Sequence, residues 1–217
     1  MNGNQPFRKM TWVEDDRRNV QLYTDLADRF GRKVQALNWS SRKSQHMRFA
    51  ILTQVGRLHA ASVLDVGCGL GDFLDWVQAA GMEVHYTGVD LTPRMVESAR
   101  ARFPGKAFIL GSLFDARDQL EDSYDFVLAS GIFYSRRNTP WEYLTQTVAL
   151  MFCLCKQAVA FNSLSGWAPQ KEAQEYYPDP LATAAFCHTL TPWVVLRHDY
   201  HPGDFTIYMY KQGCLAP

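Results

Sequence analysis

The chain has 217 residues with 22 basic and 22 acidic side chains, so its formal net charge at neutral pH is zero. At about 150 residues per domain this length favours one domain, and 47% hydrophobic against 20% charged residues excludes a disordered chain. The charge balance argues against a nucleic-acid-binding protein. No apolar run approaches the roughly 20 residues of a membrane span, and residues 1–5 lack the apolar stretch of a signal peptide. We therefore expect a cytoplasmic monomer or homodimer with no DNA, RNA or membrane partner.

The first 60 residues have the pattern of a helical segment. Apolar residues recur at intervals of three and four over residues 14–37 and again over residues 44–58, which predicts two helices, with Ser44 as the N-cap of the second. Residues 1–48 hold ten Lys and Arg residues against five Asp and Glu, so this segment is basic. We expect residues 1–60 to form a helical cap or lid that belongs to the same domain as residues 61–213.

After residue 60, short apolar runs alternate with helical patterns. The expected strands cover residues 62–66, 83–89, 106–110, 124–129, 157–161, 193–198 and 205–211. The expected helices cover residues 72–80, 92–103, 140–154 and 180–190. Pro202 and Gly203, between the last two strands, favour a hairpin-like reversal. This order predicts an α/β fold, a three-layer sandwich around a seven-stranded, mostly parallel sheet with one antiparallel strand near the edge.

The chain contains five cysteines, an odd number, and no two of them have Cys-x-x-Cys spacing. This argues against a disulfide framework and against a zinc site, so we expect no bound metal. Cys153 and Cys155 lie in an apolar run and are expected to be buried thiols.

The most informative segment is DVGCGLG, from Asp65 to Gly71, at the end of the first expected strand. Gly67 and Gly69 let the backbone turn tightly and approach a ligand, and the next helix directs its N-terminal amides to the same place. The Gly-x-Gly-x-Gly spacing differs from that of dinucleotide-binding folds, and Asp65 beside the loop disfavours a diphosphate and favours a cationic ligand. Asp90 ends the second strand, where an acid can accept hydrogen bonds from both hydroxyls of a ribose.

These residues resemble the class I S-adenosylmethionine-dependent methyltransferases. The similar segments are VLDVGCGLG at residues 63–71, GVDLT at 88–92, GSLFD at 111–115 and YDFVLASGIF at 124–133. The resemblance extends more loosely over residues 62–211 and implies a seven-stranded sheet whose last strand is antiparallel. It also implies S-adenosylmethionine as the cofactor and S-adenosylhomocysteine as the product.

The resemblance implies that ten residues contact the cofactor. The methionine part would lie against Asp65, Gly67, Gly69, Ser130 and Gly131. The ribose hydroxyls would be held by Asp90. The adenine would be lined by Leu91 and Met95 on one face and by Ser112 and Leu113 along its edge. Core packing for Met95 and a plain turn for Ser112 are the competing interpretations. Gln45 and Arg48 share one helix face, and we expect them to reach the cofactor carboxylate or the acceptor, ordinary surface roles being the alternative.

Open parallel sheets bind ligands beyond the carboxyl ends of their strands, which here means residues 131–139, 162–170 and 198–204. From these loops we expect four residues to contact the acceptor, namely Tyr134, Arg136, Trp167 and His201. Tyr134 could close over the methyl group and His201 could act as a general base, so these two are the candidate catalytic residues. Arg136, together with Arg137, could clamp an anion. Solvated arginines, a core tryptophan and a turn histidine are the competing structural roles.

The residues after the fourth strand, Ser130 to Phe133, lack the Asn/Asp-Pro-Pro-Tyr run that marks amino methylation of adenine or glutamine in this superfamily. We therefore expect in-line methyl transfer to a small-molecule acceptor. Two alternatives stay open: a catalytically silent S-adenosylmethionine-binding protein, and an RNA or protein methyltransferase that uses the basic N-terminus as its contact surface. The glycine spacing and Asp65 disfavour a nicotinamide-dependent oxidoreductase.

Overall fold

The computed structural model describes residues 12–39, 41–121 and 123–213. Residues 1–5, on which the signal-peptide expectation rests, lie outside these ranges. None of the helices in the described ranges is both long enough and apolar enough to cross a bilayer.

Within the described ranges, seven strands form one sheet, in agreement with the number predicted. They are β1 (Ser62–Val66), β2 (His85–Asp90), β3 (Ala107–Leu110), β4 (Tyr124–Ala129), β5 (Cys155–Leu164), β6 (Val194–Arg197) and β7 (Asp204–Tyr210). Their order across the sheet is β3-β2-β1-β4-β5-β7-β6. Only β7 is antiparallel to its neighbours, and it lies one position in from the edge, between β5 and β6. The predicted mostly parallel sheet with one antiparallel strand near the edge is therefore confirmed.

In the part of the chain that the structure describes, six α-helices connect or flank the strands. They are α1 (Val13–Phe30), α2 (Arg42–Leu52), α3 (Asp72–Ala79), α4 (Pro93–Arg102), α5 (Pro140–Leu154) and α6 (Pro180–Leu190). The last three begin with proline, whose fixed φ and missing N–H suit the first turn of a helix.

The two N-terminal helices differ from the prediction at their ends. The first stops at Phe30 rather than at residue 37 because Gly31, at φ 59°, leaves the helical region, and a short 3₁₀ turn over Val34–Leu37 follows. The second begins earlier than predicted. Its N-cap is Ser41, whose Oγ accepts a hydrogen bond from the backbone N–H of Ser44 at 3.1 Å, so Ser44 lies inside the helix.

The central strands are buried on both faces, as expected for a parallel sheet covered by helices on each side. Val63 and Leu64, adjacent in β1, point to opposite faces and belong to two different apolar clusters, and neither is exposed to solvent. Cys155 is buried as predicted, but the prediction for Cys153 is wrong because that thiol is exposed. The buried face of α5 carries Leu150, Met151 and Leu154, and the helical period turns Cys153 away from it.

The N-terminal helices pack against the elements that follow β1 and β2. Ala27 of α1 and Ala36 of the 3₁₀ turn form a small apolar cluster with Leu70 of the β1–α3 loop and Met95 of α4. Helix α1 also contacts α4, and α2 contacts α3 and β5. The described part of the first sixty residues therefore lies close to the loops at the carboxyl ends of the strands.

Candidate active site

The loop between β1 and α3 is sharply bent and closely approached by other parts of the chain. Gly67 and Gly69 have φ values of 75° and 52°, which L side chains rarely adopt. A Cβ on Gly67 would overlap the side chain of Ile132, and one on Gly69 would lie 2.6 Å from Cδ2 of Leu37. Glycine is required here both for the backbone conformation and for space.

Asp90, at the end of β2, is tied to this loop by its carboxylate. Oδ2 accepts a hydrogen bond from the backbone N–H of Gly69 at 2.9 Å, and Oδ1 accepts one from the N–H of Thr92 at 2.8 Å. Burial raises the pKa of Asp90, while these two N–H donors oppose the shift. Because a carboxylate has about four lone-pair sites, each oxygen can accept another hydrogen bond from a ligand.

Asp65, in β1, is the more deeply buried carboxyl group. The Oδ2 atom of Asp65 accepts a hydrogen bond from the Tyr86 hydroxyl at 2.7 Å, and Asp65 as a whole is only 4% exposed to solvent. Burial raises the pKa of Asp65 to about 7, with the nearby charges of Asp90 and Asp72 adding to the shift and the Tyr86 hydrogen bond opposing it. A cationic ligand beside this group would favour its ionised form.

A single cavity contains the glycine loop, both carboxyl groups and most of the other residues expected to bind the cofactor. Eleven of the twelve expected residues line it: Gln45, Asp65, Gly67, Gly69, Asp90, Leu91, Met95, Ser112, Leu113, Ser130 and Gly131. Residues that lie far apart in the chain are brought together because the carboxyl ends of parallel strands share one edge of the sheet.

Gln45 and Arg48 of α2 are both buried, but they lie in different surroundings. Gln45 lines the cavity, and its Nε2 donates to Oδ2 of Asp72 at 3.1 Å. Arg48 is not among the lining residues, since its guanidinium contacts Asp204 of β7 and the Oγ of Ser44. Asp204 is only 1% exposed, and a carboxylate so deeply buried needs a cationic partner.

Of the four residues expected to contact the acceptor, only Tyr134 lines the cavity. Arg136 is exposed and donates from Nη1 to the carbonyl of Ala173 at 2.7 Å. Trp167 is 48% exposed, and its ring lies 5.0 Å from that of His198. His201 lies 2.9 Å from Asp204, on the side of the buried Arg48 pair.

A polar contact that was not expected from the sequence joins α1 to the loop after β4. This contact, called here the α1 seam, consists of five hydrogen-bonded pairs: Trp12–Thr139 (3.0 Å), Asp15–Asn138 (3.1 Å), Asp16–Arg137 (2.7 Å), Asn19–Ser135 (2.9 Å) and Tyr23–Tyr134 (2.8 Å). Trp12 is the N-cap of α1, and the adjacent pair Asp15 and Asp16, then Asn19, then Tyr23 follow at intervals of three or four, so these side chains lie on one side of the helix. That spacing was the only signal in the sequence, and it did not identify the partner.

Three aromatic or charged residues of this region also line the cavity, namely Tyr23, Tyr143 and Arg137. Burial raises the pKa of Tyr23 well above its usual value, and the adjacent Tyr134 and the Asp90 carboxylate raise it further. Burial also raises the pKa of Tyr143, although the nearby Arg137 opposes that shift. Both phenols are therefore neutral hydrogen-bonding groups near neutral pH.

Comparison with known protein families gives a consistent result. A family described as a methyltransferase domain matches residues 63–152. A Mycobacterium tuberculosis protein named as a methyltransferase is 32% identical over 157 residues, which cover 69% of this chain and 93% of that protein. The malonyl-[acyl-carrier protein] O-methyltransferase of Salmonella typhimurium is 33% identical over 88 residues, but these cover only 34% of its length.

Solved structures share the fold at low sequence identity. An S-adenosylmethionine-dependent methyltransferase from Archaeoglobus fulgidus has a TM-score of 0.64 and 16% identity, covering 87% of this chain and 99% of that one. The plantazolicin methyltransferase BamL, solved with a triazolic desmethylPZN analogue and S-adenosylhomocysteine, has a TM-score of 0.62 and 12% identity, covering 91% and 98%. DhpI, solved with S-adenosylhomocysteine, has a TM-score of 0.63 and 15% identity, covering 92% and 97%.

The groups around the cavity suit S-adenosylmethionine as cofactor and S-adenosylhomocysteine as product. The glycine loop leaves space that side chains would fill, and Asp65 and Asp90 offer the oxygen acceptors that an ammonium group and a ribose diol require. Leu91 and Met95 offer the apolar surface that a purine requires. The chain belongs to the class I S-adenosylmethionine-dependent methyltransferases.

Proposed function

We propose that this methyltransferase modifies a small organic molecule, which binds in the cavity beside the cofactor. The observation that carries the proposal is the composition of the cavity wall. The same cavity is lined by the glycine loop with Asp90 and by a group of aromatic residues that no cofactor assignment uses. Those aromatic residues include Tyr23, Trp39 and Tyr143, and they offer flat apolar surface to a second ligand.

On the cofactor side, the assignments follow the residues that line the cavity. We assign the methionine part to Asp65, Gly67, Gly69, Ser130 and Gly131. We assign the ribose hydroxyls to Asp90 and the adenine to Leu91, Met95, Ser112 and Leu113. Gln45 is assigned to the amino-acid end of the cofactor because it lines the cavity next to Asp72. We do not assign Arg48 to the cofactor, because its guanidinium is already paired with Asp204.

When bound, S-adenosylmethionine supplies an electrophilic methyl carbon, and the protein has to align the acceptor in line with it and exclude water. Tyr134 is proposed to hold the acceptor side closed, because its hydroxyl is already hydrogen-bonded to Tyr23 and receives a hydrogen bond from Asn38 at 3.3 Å. A general base is needed only if the acceptor arrives protonated. His201 is less suitable for that task because its ring is bound to Asp204 outside the cavity lining.

The N-terminal segment, residues 1–60, is proposed to act as a cap within the same domain. In the described part of this segment, α1 carries the α1 seam and Leu37 packs against the glycine loop. A cap of this kind would retain the acceptor and the cofactor together and would keep water from the reacting methyl group.

The relatives support a small acceptor without identifying it. BamL was solved with an analogue of desmethylPZN, and the Salmonella protein is named for an acyl-carrier-protein substrate. These names describe those proteins alone. They support an acceptor that is not a nucleic acid.

The proposal is tested in two steps with the purified full chain. Isothermal titration with S-adenosylhomocysteine and with NAD as a control establishes cofactor binding. Methyl transfer is then measured as S-adenosylhomocysteine released in the presence of pools of small phenols, amines, thiols and carboxylic acids, and separately of total RNA and of a protein extract. Turnover with a small-molecule pool supports the proposal. Turnover only with RNA or protein contradicts it, and cofactor binding with no turnover in any pool favours a catalytically silent protein.

A further inference from the structure

Arg137 has an unusual position among the charged residues of the cavity. Of the described residues that line the cavity, it is the only Lys or Arg, whereas Asp65, Asp72 and Asp90 are all acidic. It follows β4 and belongs to the acceptor side, while the three acids belong to the glycine loop and the end of β2. The acceptor side of the cavity therefore carries one positive charge.

The guanidinium of Arg137 is buried with few hydrogen-bond acceptors. Its side chain is 3% exposed, and Nη1 donates to Oδ1 of Asp16 at 2.7 Å. Among the described residues Nε has no acceptor, although it is closed off from solvent. The guanidinium carbon lies 3.6 Å from the centroid of the Tyr143 ring. This cation–π contact orients the plane of the guanidinium but gives none of its N–H groups a hydrogen-bond acceptor. A buried donor without an acceptor is costly, and this cost disappears when a ligand oxygen accepts from it.

We propose that Arg137 binds a carboxylate of the methyl acceptor, an inference that rests on the proposed function. A guanidinium has five N–H donors in a planar fork that matches the two oxygens of a carboxylate. Asp16 engages only one of the terminal nitrogens and Nε has no acceptor among the described residues, so the guanidinium has unused donors that a small rotation of the side chain toward the cavity would present to a second anion. The aromatic side chains of Tyr23 and Trp39, which line the same cavity, favour an acceptor whose carboxylate is attached to a planar ring or chain.

The other charged groups near Arg137 already have partners. Asp15 accepts a hydrogen bond from the backbone N–H of Asn138 and contacts Arg18, so its charge is compensated by groups other than Arg137. Asp16 is about a quarter exposed, and water screens part of its repulsion toward an incoming anion. Asp72 is paired with Arg102 at 2.5 Å and with Gln45.

Two other roles for Arg137 lead to different results. It could serve only to fix α1 through Asp16, in which case no ligand would depend on it. It could also bind the carboxylate of the cofactor itself, in which case its loss would weaken binding of S-adenosylhomocysteine. The experiment must therefore measure cofactor and acceptor affinities separately.

The test is isothermal titration of the protein saturated with S-adenosylhomocysteine, using benzoate and benzamide as a matched pair of probes. The proteins compared are wild type, Arg137→Gln, Arg137→Lys and Arg197→Gln. The last is a control in which another aspartate-paired arginine, on β6, is removed outside the cavity. Arg137→Lys keeps a positive charge for Asp16 and provides a folded variant if Arg137→Gln does not fold. Thermal melting establishes which variants are folded.

We expect wild type and Arg197→Gln to bind benzoate at least about tenfold more tightly than benzamide, as a charged hydrogen bond requires. Arg137→Gln should bind both probes equally, Arg137→Lys should bind benzoate more weakly than wild type does, and the affinity for S-adenosylhomocysteine should stay within about twofold throughout. Equal or absent binding of the two probes by wild type overturns the inference. So does a variant that loses affinity for the cofactor but not for benzoate. If wild type fails to bind S-adenosylhomocysteine, the proposed function itself is wrong.

Discussion

The phenol oxygens of Tyr23 in α1 and Tyr134 in the loop after β4 lie 2.8 Å apart and share a hydrogen bond. The two residues are 111 positions apart in the chain, and both line the cavity that contains the glycine loop. The N-terminal helix is thus attached to the acceptor side of the site by a specific polar contact, and the neighbouring pairs of the α1 seam repeat this arrangement.

Replacing either tyrosine with phenylalanine should weaken this attachment. Tyr23→Phe and Tyr134→Phe should each lower the free energy of unfolding by about 0.5–1.5 kcal/mol, the usual net value of a hydrogen bond. The double variant should lower the free energy of unfolding by less than the sum of the two single variants, because each single change already breaks the same hydrogen bond. Urea denaturation of the four proteins measures this coupling. Strict additivity would show that the two hydroxyls act independently.

Removing the Asp90 carboxylate should weaken cofactor binding. Asp90→Ala should reduce the affinity for S-adenosylhomocysteine by about 1.5–3 kcal/mol, which is roughly 10- to 100-fold, because hydrogen bonds to the ribose are lost. Asp118→Asn, at an exposed position in the loop after β3, is the control and should bind normally. Titration calorimetry measures both. If Asp90→Ala keeps wild-type affinity, the ribose assignment is incorrect.

Cofactor affinity should depend on pH through Asp65. Burial raises the pKa of Asp65 to about 7, and a bound cation stabilises the ionised carboxylate. Affinity for S-adenosylhomocysteine should therefore increase as the pH rises from about 5.5 to 8.5. Asp65→Asn should flatten this profile. A pH profile of Kd that is the same for both proteins would exclude Asp65 as the group responsible.

The same group has the opposite effect on the stability of the ligand-free protein. Its folded-state pKa lies above the usual value of 3.8, so the folded protein binds the proton more tightly than the unfolded chain does. The stabilising contribution is complete below about pH 3.8 and is lost as the pH rises to about 7. Relative to Asp65→Asn, the free energy of unfolding of wild type should fall across this range, which denaturant titrations at several pH values would reveal.

A comparison of two glycines should separate backbone strain from crowding in the glycine loop. Gly69 and Gly105 have φ values of 52° and 81°, so alanine is strained at both positions. A Cβ at Gly105 meets nothing within 4 Å, whereas one at Gly69 would lie 2.6 Å from the side chain of Leu37. Both alanine variants should be destabilised by about 1 kcal/mol or more, and Gly69→Ala by the larger amount. Only Gly69→Ala should also lose affinity for S-adenosylhomocysteine, and an equal loss in both variants would contradict a local role for the loop.

Local patterns were sufficient to predict the sheet and the glycine loop. The alternation of apolar runs with helical patterns identified all seven strands, and the acid at residue 90 was expected at the end of the second strand, where it lies. These features depend on neighbouring residues and on rules that hold for all parallel sheets. Most of the residues expected to bind the cofactor came from the family resemblance, and eleven of the twelve line the cavity.

The acceptor side could not be predicted in the same way because it depends on contacts between distant residues. Arg48 is bound to Asp204, which lies 156 positions further along the chain, and nothing near either residue indicates this partner. Arg136 and Arg137 are adjacent and chemically identical, yet one is exposed and the other is buried against α1. Arg137 pairs with Asp16, which lies 121 positions earlier, and Arg136 pairs with the carbonyl of Ala173, and neither partner is indicated by the neighbouring sequence.

The place of β7 between β5 and β6 makes two distant parts of the chain depend on one strand. Without residues 204–210, β5 would have an unpaired edge and β6 would have no neighbour in the sheet. Open edges of this kind can pair with other chains, so the pairing of β7 also protects the protein from aggregation. The same strand brings Asp204 to Arg48 in α2. A change that displaces β7 should therefore loosen α2 as well as the sheet.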